Sequence, residues 1–269
     1  MQIASRQVVW NEGGRGTVVE VEMTPETGLY IQVMFDGFAN RESVVDWGDG
    51  SPRSRFTNAG HEYIKHTYPR YGRYKIVAEG IWRVGLRDLD GRPQYSYDAA
   101  IISVVDYAGQ ITSSNSGGFK KAVNLVRFIA PNCRWMGQRD FAYCTKLKEV
   151  VIGKNEICYD GTYQYCSSLE KYTTESTGIC WSYVWEGCTK LRELRLGAVS
   201  QFATRDFAST PNLMDIWISD KTVEQIKQVA PSGNIVAGYG AKFPWNANAG
   251  CRFHGTNGIV LANGTIIHG

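Results

Sequence analysis

The strongest constraint on this chain is a period. Leu125, Leu147, Leu169, Leu191 and Leu213 stand 22 residues apart, and three further columns keep the same spacing. One is aromatic (Phe119, Phe141, Tyr163, Trp185, Phe207), one small (Ala122, Cys144, Cys166, Cys188, Thr210) and one apolar (Phe128, Val150, Tyr172, Leu194, Ile216). A unit with so few inward groups cannot bury them alone, so columns that agree in phase over five units predict a solenoid with one continuous core. LKEVVIG (147–153) and LRELRLG (191–197) alternate apolar and polar, which predicts a single strand per coil. Strands stacked roughly 4.8 Å apart would give five coils a ridge about 25 Å long.

The cysteines follow from this pattern. They number seven (133, 144, 158, 166, 180, 188, 251), an odd count with no CxxC pair, which argues against a zinc site and against a complete disulfide framework. Cys144, Cys166 and Cys188 read as structural core beside the leucine column, each thiol filling space as a small hydrophobe. Cys158 and Cys180 form a second column of the same kind. On this reading Cys166→Ser destabilises the coil by burying a poorly satisfied hydroxyl.

FAYCTKLKEVVIGKN and WEGCTKLRELRLGAV resemble the BspA-type leucine-rich repeat over residues 119–220, with one departure at Thr210 in the last unit. The resemblance implies a surface or secreted protein with an adhesive role. KTVEQIKQV (221–229) has helical periodicity and would cap the stack. The Gly- and Asn-rich tail, with FPWNANAGCRFHGTNGIVL at 243–261, suggests small capping hairpins; a similar FPW…FHG tail accompanies BspA-type repeats in some proteins. His254 and Cys251 lack a third ligand and read as structural.

Residues 1–112 have another texture. TVVEVEM (17–23), LYIQVMF (29–35), RYKIVAE (73–79) and AIISVVD (100–106) predict short strands of an antiparallel sandwich. WGDG (47–50), HTY (66–68) and GRYKIV (72–77), taken in order, look like the polycystic-kidney-disease (PKD) domain, which implies an immunoglobulin-like sandwich over most of 17–106. The insert LRDLDGRPQYSYD (86–98) departs from that pattern. Asp46 and Asp49, with Asp36 nearby, read as turn residues that bond their own backbone rather than as a calcium or acid–base site. His61 and His66 read as packing groups. SSNSGG (113–118) predicts a flexible linker. The expected organisation is therefore a mostly β chain: PKD-like sandwich 1–112, linker 113–118, leucine-rich-repeat solenoid 119–230 and capping tail 231–269.

Function is approached by exclusion. With 43% hydrophobic residues and 15 Tyr, 10 Phe and 8 Trp, too many large apolar groups would be left in water for disorder to be the main state. No apolar run approaches the ~20 residues of a membrane span, and a net charge of +3 is too small to argue for nucleic acid. There is no GxSxG, GxxxxGKS or HExxH motif, so no catalytic residue, cofactor or metal ligand is assigned. Binding candidates remain. Arg53, Arg55, Arg70 and Arg73 lie in a basic stretch (51–75) with Glu62 as its one acid, interleaved with tyrosines. Trp181, Tyr183 and Trp217 are anchors on the solenoid, and Lys146, Lys148, Glu149, Lys190, Arg192, Glu193 and Arg195 are its polar contributors. Trp217 lies between the inward Ile216 and Ile218.

These features predict a non-enzymatic structural or binding protein on an exterior surface, with a protein or glycan partner. MQIASRQVVWNEGG lacks the features of a secretory signal, and the unpaired thiols fit assembly in a reducing cytosol. Both favour a bacteriophage virion component (capsid decoration, fibre or tail protein) made in the host cytoplasm, touching other virion proteins, and compatible with a homo-oligomer. The alternative is a bacterial cell-surface or secreted adhesin of the BspA-like type.

Overall fold

A computed structural model describes residues 16–57, 60–86, 99–114, 118–202, 205–228, 243 and 246–269. The chain begins with two antiparallel sheets. One orders strands β4 (Ser54–Phe56), β3 (Ser43–Asp46), β6 (Gly72–Glu79), β1 (Thr17–Met23) and β8 (Ile101–Asp106); the other orders β5 (His61–Thr67), β2 (Tyr30–Gly37) and β7 (Ile81–Gly85). Strict alternation in TVVEVEM buries every second residue of β1, because successive side chains leave opposite faces of a strand. Val19, Val21, Ile76 and Val104 from the first sheet share one core with Val33 and Phe35 from the second. The immunoglobulin-like sandwich expected from the motifs is not shown by this arrangement, since the second sheet holds three strands among the described residues. The 86–98 insert lies outside the described residues apart from Leu86, which is buried; the side chain of His61 lies outside them too.

The solenoid follows without a change of sheet. Strands β9 (Arg127–Ala130), β11 (Glu149–Ile152), β13 (Lys171–Cys180), β14 (Glu193–Gln201) and β15 (Asp215–Ile218) pair in parallel. Glu149 sits opposite Arg127, Lys171 opposite Glu193, and Glu193 opposite Asp215, so the register is the 22-residue period itself. The single strand per coil is corrected here. A second parallel row contains β10 (Trp135–Met136), β12 (Lys154–Cys158) and the later halves of β13 and β14, with Trp135 opposite Ile157 and Ile157 opposite Ile179. Each coil bends at a column formed by Pro131, Gly153, Glu175 and Gly197 and then continues extended. At Gly153 and Gly197 the preceding coil's carbonyl oxygens, those of Pro131 and Glu175, occupy the space a Cβ would need.

The first row outruns the repeats at both ends. β8 pairs antiparallel with β1 and parallel with β9, so it belongs to both units. Beyond β15 come β16 (Arg252–Gly255, parallel), then β17 (Gly258–Leu261) and β18 (Ile266–His268), antiparallel. Helix α1 (Val223–Gln228) buries Val223 and Ile226. Its start is closed reciprocally: the Gln225 amide donates to Thr222 Oγ1 (3.3 Å) and the Thr222 amide to Gln225 Oε1 (2.9 Å). Ser113 and Ser114, placed in a linker by their composition, are buried in the ladder. Ser113 bridges Trp135, the Ser114 amide donates to the Trp135 carbonyl at 3.0 Å, and Gly137 N donates to Ser114 Oγ at 3.1 Å. Residues 115–117 lie outside the described part.

The leucine, aromatic and cysteine columns all point inward; Leu125, Leu147, Leu169, Leu191 and Leu213 are completely buried. Each coil thus contributes one buried leucine at the same place in its 22-residue period. All seven thiols are free and buried, and burial pushes Cys158, Cys188 and Cys251 up to about 12.

The cysteine column does more than fill space. Cys144, Cys166 and Cys188 donate their thiols to the Phe119, Phe141 and Tyr163 carbonyls one coil back, at 3.0, 3.0 and 3.1 Å. Thr210 turns instead to the Phe207 carbonyl of its own coil at 2.7 Å. The poorly satisfied hydroxyl expected of Cys166→Ser is therefore corrected, because the Phe141 carbonyl is already in place to accept it. Cys166→Ser is expected to cost only about 1 kcal/mol, lowering Tm by roughly 2–4 °C. A larger drop in a thermal melt would mean that the carbonyl is not available to a hydroxyl.

Candidate functional site

Each coil closes through tight turns, at residues 137–148, 159–170, 181–192 and 205–214, on the side away from the strand rows. Two columns there hold left-handed backbone. Lys121 (φ 66°), Tyr143 (66°), Tyr165 (61°), Gly187 (74°) and Ser209 (55°) form one, and Arg139 (53°), Gly161 (61°), Tyr183 (66°) and Arg205 (61°) the other. A residue with a Cβ pays roughly 1–2 kcal/mol to sit in this region. Coil stacking holds it there: the Lys121, Tyr143 and Tyr165 amides donate to the Ala142, Gln164 and Glu186 carbonyls of the next coil, each at 2.8 Å. Arg139 and Gly161 do the same to Asp160 and Ser182 at 2.9 Å. Because glycine serves at 161 and 187, the backbone does not require tyrosine at 143, 165 or 183.

The side chains at these strained positions assemble a surface. Tyr143 stacks on Tyr165 with ring centres 4.9 Å apart, and the Tyr165 ring lies over Gly187, where a Cβ would strike it. Tyr159 and Trp181 stack at 6.3 Å. These four aromatics are 36% to 40% exposed. A polar chain accompanies them. Gln164 Nε2 donates to Glu186 Oε2 at 2.6 Å, Arg205 Nη2 donates to Glu186 Oε1 at 2.7 Å, and the Arg205 guanidinium sits 5.6 Å from the Tyr183 ring. Stacking fixes these rings before any partner arrives, so little side-chain freedom is left to lose on binding.

Trp181 and Tyr183 thus fall on this turn face, together with Tyr143, Tyr159 and Tyr165, which the sequence reading missed. A signal for two of them was present: Tyr143 and Tyr165 directly precede a column cysteine, where the next coil has Gly187. Trp217 is not part of this face. It projects from β15 on the outside of the strand rows, 37% exposed, between the Arg195 guanidinium (5.1 Å) and the His254 ring (3.6 Å). Asp215 beside it accepts from Arg252 and contacts His254 Nε2 at 2.7 Å. Burial works to raise the Asp215 carboxyl, and Arg252 and His254 overcome it, leaving the group below its ordinary range.

The arginines of the N-terminal unit do not form a free basic patch. Arg53 pairs with Asp46 (2.9 Å), Arg55 with Glu42, and Arg73 with Glu22 (3.0 Å), all exposed contacts. Arg70 is exposed, and its carbonyl accepts the Tyr74 hydroxyl at 2.8 Å. The solenoid's polar contributors are partly paired as well: Glu193 meets Arg195 at 2.7 Å and Lys171 at 4.0 Å, and Lys146 donates to Asn124 Oδ1 at 2.7 Å. Lys148, Glu149, Lys190 and Arg192 are exposed.

Asp46 and Asp49 serve their turn. Gly48 N donates to Asp46 Oδ1 and Ser51 N to Asp49 Oδ1, both at 3.0 Å, while His66 Nε2 contacts Asp49 Oδ2 at 2.8 Å. Burial alone would raise Asp49; the Ser51 hydroxyl and amide and His66 outweigh it and hold the carboxyl down to about 2. His66 lies flat on Trp47 (4.6 Å), and Tyr68 stacks on Tyr74 (4.0 Å). Among the described residues no cluster of His, Cys, Asp and Glu could hold a metal, and no helix is long and apolar enough to cross a membrane.

No protein-family model and no curated protein matches the chain. Two solved structures are similar to it. The first is the T. pallidum leucine-rich-repeat protein TpLRR (TM-score 0.34, 19% identity, 43% of this chain and 64% of that one). The second is a leucine-rich repeat protein from Bacteroides ovatus ATCC 8483 (TM-score 0.34, 18% identity, 54% of this chain and 40% of that one). The chain therefore spans under two thirds of either protein. The solenoid assignment rests on the coils' own register and columns.

Proposed function

We propose that this chain is a non-enzymatic repeat protein that binds another protein through the turn face of its solenoid. The observation that carries this reading is the choice of tyrosine at three strained positions, 143, 165 and 183, in columns where glycine also serves. Strain retained at exposed positions marks a demand on the side chain rather than on the fold. Stacked rings that offer edges and hydroxyls, beside a fixed Gln–Glu–Arg chain, suit a protein surface better than a sugar ring, which needs an open aromatic face.

The setting we favour is a bacterial surface or secreted protein of the BspA-like type. Nothing in the fold or in the comparisons supports the virion role expected from the sequence, and both similar structures come from bacteria. Within this reading the N-terminal unit is a PKD-like spacer, supported by the Trp47, His66, Tyr68 and Tyr74 stack.

Biolayer interferometry of the full chain against immobilised extracellular-matrix proteins and mucin glycans tests the proposal. A protein ligand is expected. Tyr165→Gly should weaken its binding at least about ten-fold, while strain relief offsets the lost stacking and keeps Tm within roughly 3 °C of the parent. Binding that survives both Tyr165→Gly and Trp181→Ala, or that is confined to glycans, would overturn it.

A further inference from the structure

The turn segments (137–148, 159–170, 181–192 and 205–214) hold six basic and five acidic residues, close to balance in sequence. Folding sorts them by sign. Arg139, Lys146, Lys148, Lys190, Arg192 and Arg205 are all exposed. Of the acids Asp140, Glu186 and Asp206 are buried, Asp160 is half-buried and only Glu170 is exposed. The inward acids serve the stack. Asp140 accepts the Gly118 amide at 3.0 Å, Asp160 the Ser182 amide at 2.9 Å and Asp206 the Val184 amide at 3.2 Å, each tying one coil to its neighbour. Arg205 is paired with Glu186 (2.7 Å), and Lys146 donates to the uncharged Asn124 side chain (2.7 Å). Arg139 has the half-buried Asp160 near it. Among the described residues Lys148, Lys190 and Arg192 are in no ion pair, although Glu170 stands one coil from Lys148 and from Arg192 in their column.

The strand rows of the same coils mix signs instead: Glu193 lies between Lys171 (4.0 Å) and Arg195 (2.7 Å), and Asp215 meets Arg252 at 2.8 Å. A face kept for solubility intersperses the two charges. A face of one sign focuses its field and draws the opposite charge from a distance. Resting on the reading of the turn face as a protein-binding surface, we propose that its partner is an acidic protein surface, whose carboxylates meet Arg139, Lys146 and Lys190. Lys146 and Lys190 each follow a member of the Tyr143–Tyr165–Gly187 column by three residues, so the cations flank the stacked rings. Nucleic acid is the other polyanion such a face could draw. Its bases need open ring faces to stack on, and here Tyr143 covers Tyr165 and Tyr159 covers Trp181.

The test uses the immobilised full chain and three probes: a random glutamate–tyrosine copolymer, a lysine–tyrosine copolymer and a single-stranded oligonucleotide. The chain should bind the glutamate–tyrosine copolymer, more weakly at about 300 than at about 50 mM NaCl, and should not retain the lysine–tyrosine one. The double variant Lys146→Glu/Lys190→Glu should weaken this binding at least about ten-fold, while Lys65→Glu/Lys154→Glu, the same change in net charge at exposed positions off the turn face, should stay within about two-fold. Equal losses in the two pairs would mean that net charge alone draws the probe, and would overturn the proposal. So would tighter binding of the oligonucleotide, or no binding of the glutamate–tyrosine copolymer. If the first double variant fails to fold, Arg139→Gly takes its place, since Gly161 already serves in that left-handed column. Tyr165→Gly separates this inference from the reading beneath it. Loss on charge reversal with Tyr165→Gly unaffected keeps the acidic partner and removes the tyrosine anchors; loss with Tyr165→Gly alone keeps the anchors and overturns the acidic partner.

Discussion

Replacing Gly197 by alanine is expected to lower Tm by more than about 10 °C, or to prevent folding altogether. The new Cβ would coincide with the Glu175 carbonyl oxygen of the preceding coil and crowd the Glu175 carbonyl carbon. Both obstacles are backbone, and the strand pairs of β13 and β14 on either side of the bend fix their separation. Overpacking against side chains costs about 1–3 kcal/mol because rotamers adjust; here the coil spacing itself would have to open. Gly28→Ala is the control. Gly28 has φ 77° and nothing within 4 Å of an added Cβ, so only the left-handed penalty of about 1 kcal/mol applies. Thermal melts of the two variants side by side would settle the point. A Gly197→Ala protein that melts like the Gly28→Ala protein would mean that the coils are not in the register described.

The second large effect is a dependence on pH centred on Asp140. Its carboxyl is fully buried and accepts the Gly118 and Gly137 amides at 3.0 and 3.2 Å. Burial raises it to about 7, against the opposing pull of Ser114, these two amides and Arg83. A group whose folded value lies above its unfolded value near 4 stabilises the fold in its protonated form. That contribution is complete below about pH 4 and is lost as the pH rises through 7, a change on the order of 4 kcal/mol. Asp49 acts in the opposite sense and in another window. Held down to about 2, it stabilises above pH 4, and its contribution is lost as the pH falls through 2. Asp140→Asn should therefore flatten the Tm profile between pH 4 and 8 while lowering Tm at the acid end, since an amide can accept only one of the two N–H donors well. Parallel profiles for parent and variant would refute the assignment.

Much of the solenoid was legible because period fixes register. Once Leu147, Leu169 and Leu191 are seen 22 residues apart, their coils can stack in only one phase, and the buried columns follow. The second strand row was harder to see. ICYDG and ICWSY look like short apolar runs, and neither shows the alternation that marks LRELRLG. The basic stretch misled for a different reason. Its charges are balanced by Glu22, Glu42 and Asp46. All three lie outside the 51–75 window, and they come alongside only when β1 pairs with β6 and β3 with β4. Trp217 was legible as a candidate but not as a member of another face, because a column position says which way a side chain points only after strand and turn are told apart. Tyr143 and Tyr165 showed in the sequence only as residues preceding a column cysteine. A tyrosine before a column cysteine carries no mark of left-handed backbone, which local sterics disfavour, and only the stacked coils show that it is held there.

Strand β8 has a mechanical consequence. It is sewn to β1 on one side and to β9 on the other, so the seam between the two units is a hydrogen-bonded ladder and not a tether. A pull along the molecule must shear that ladder as a whole before the N-terminal unit can swivel. Load applied at one end therefore reaches the coils through strand β8, with its direction preserved.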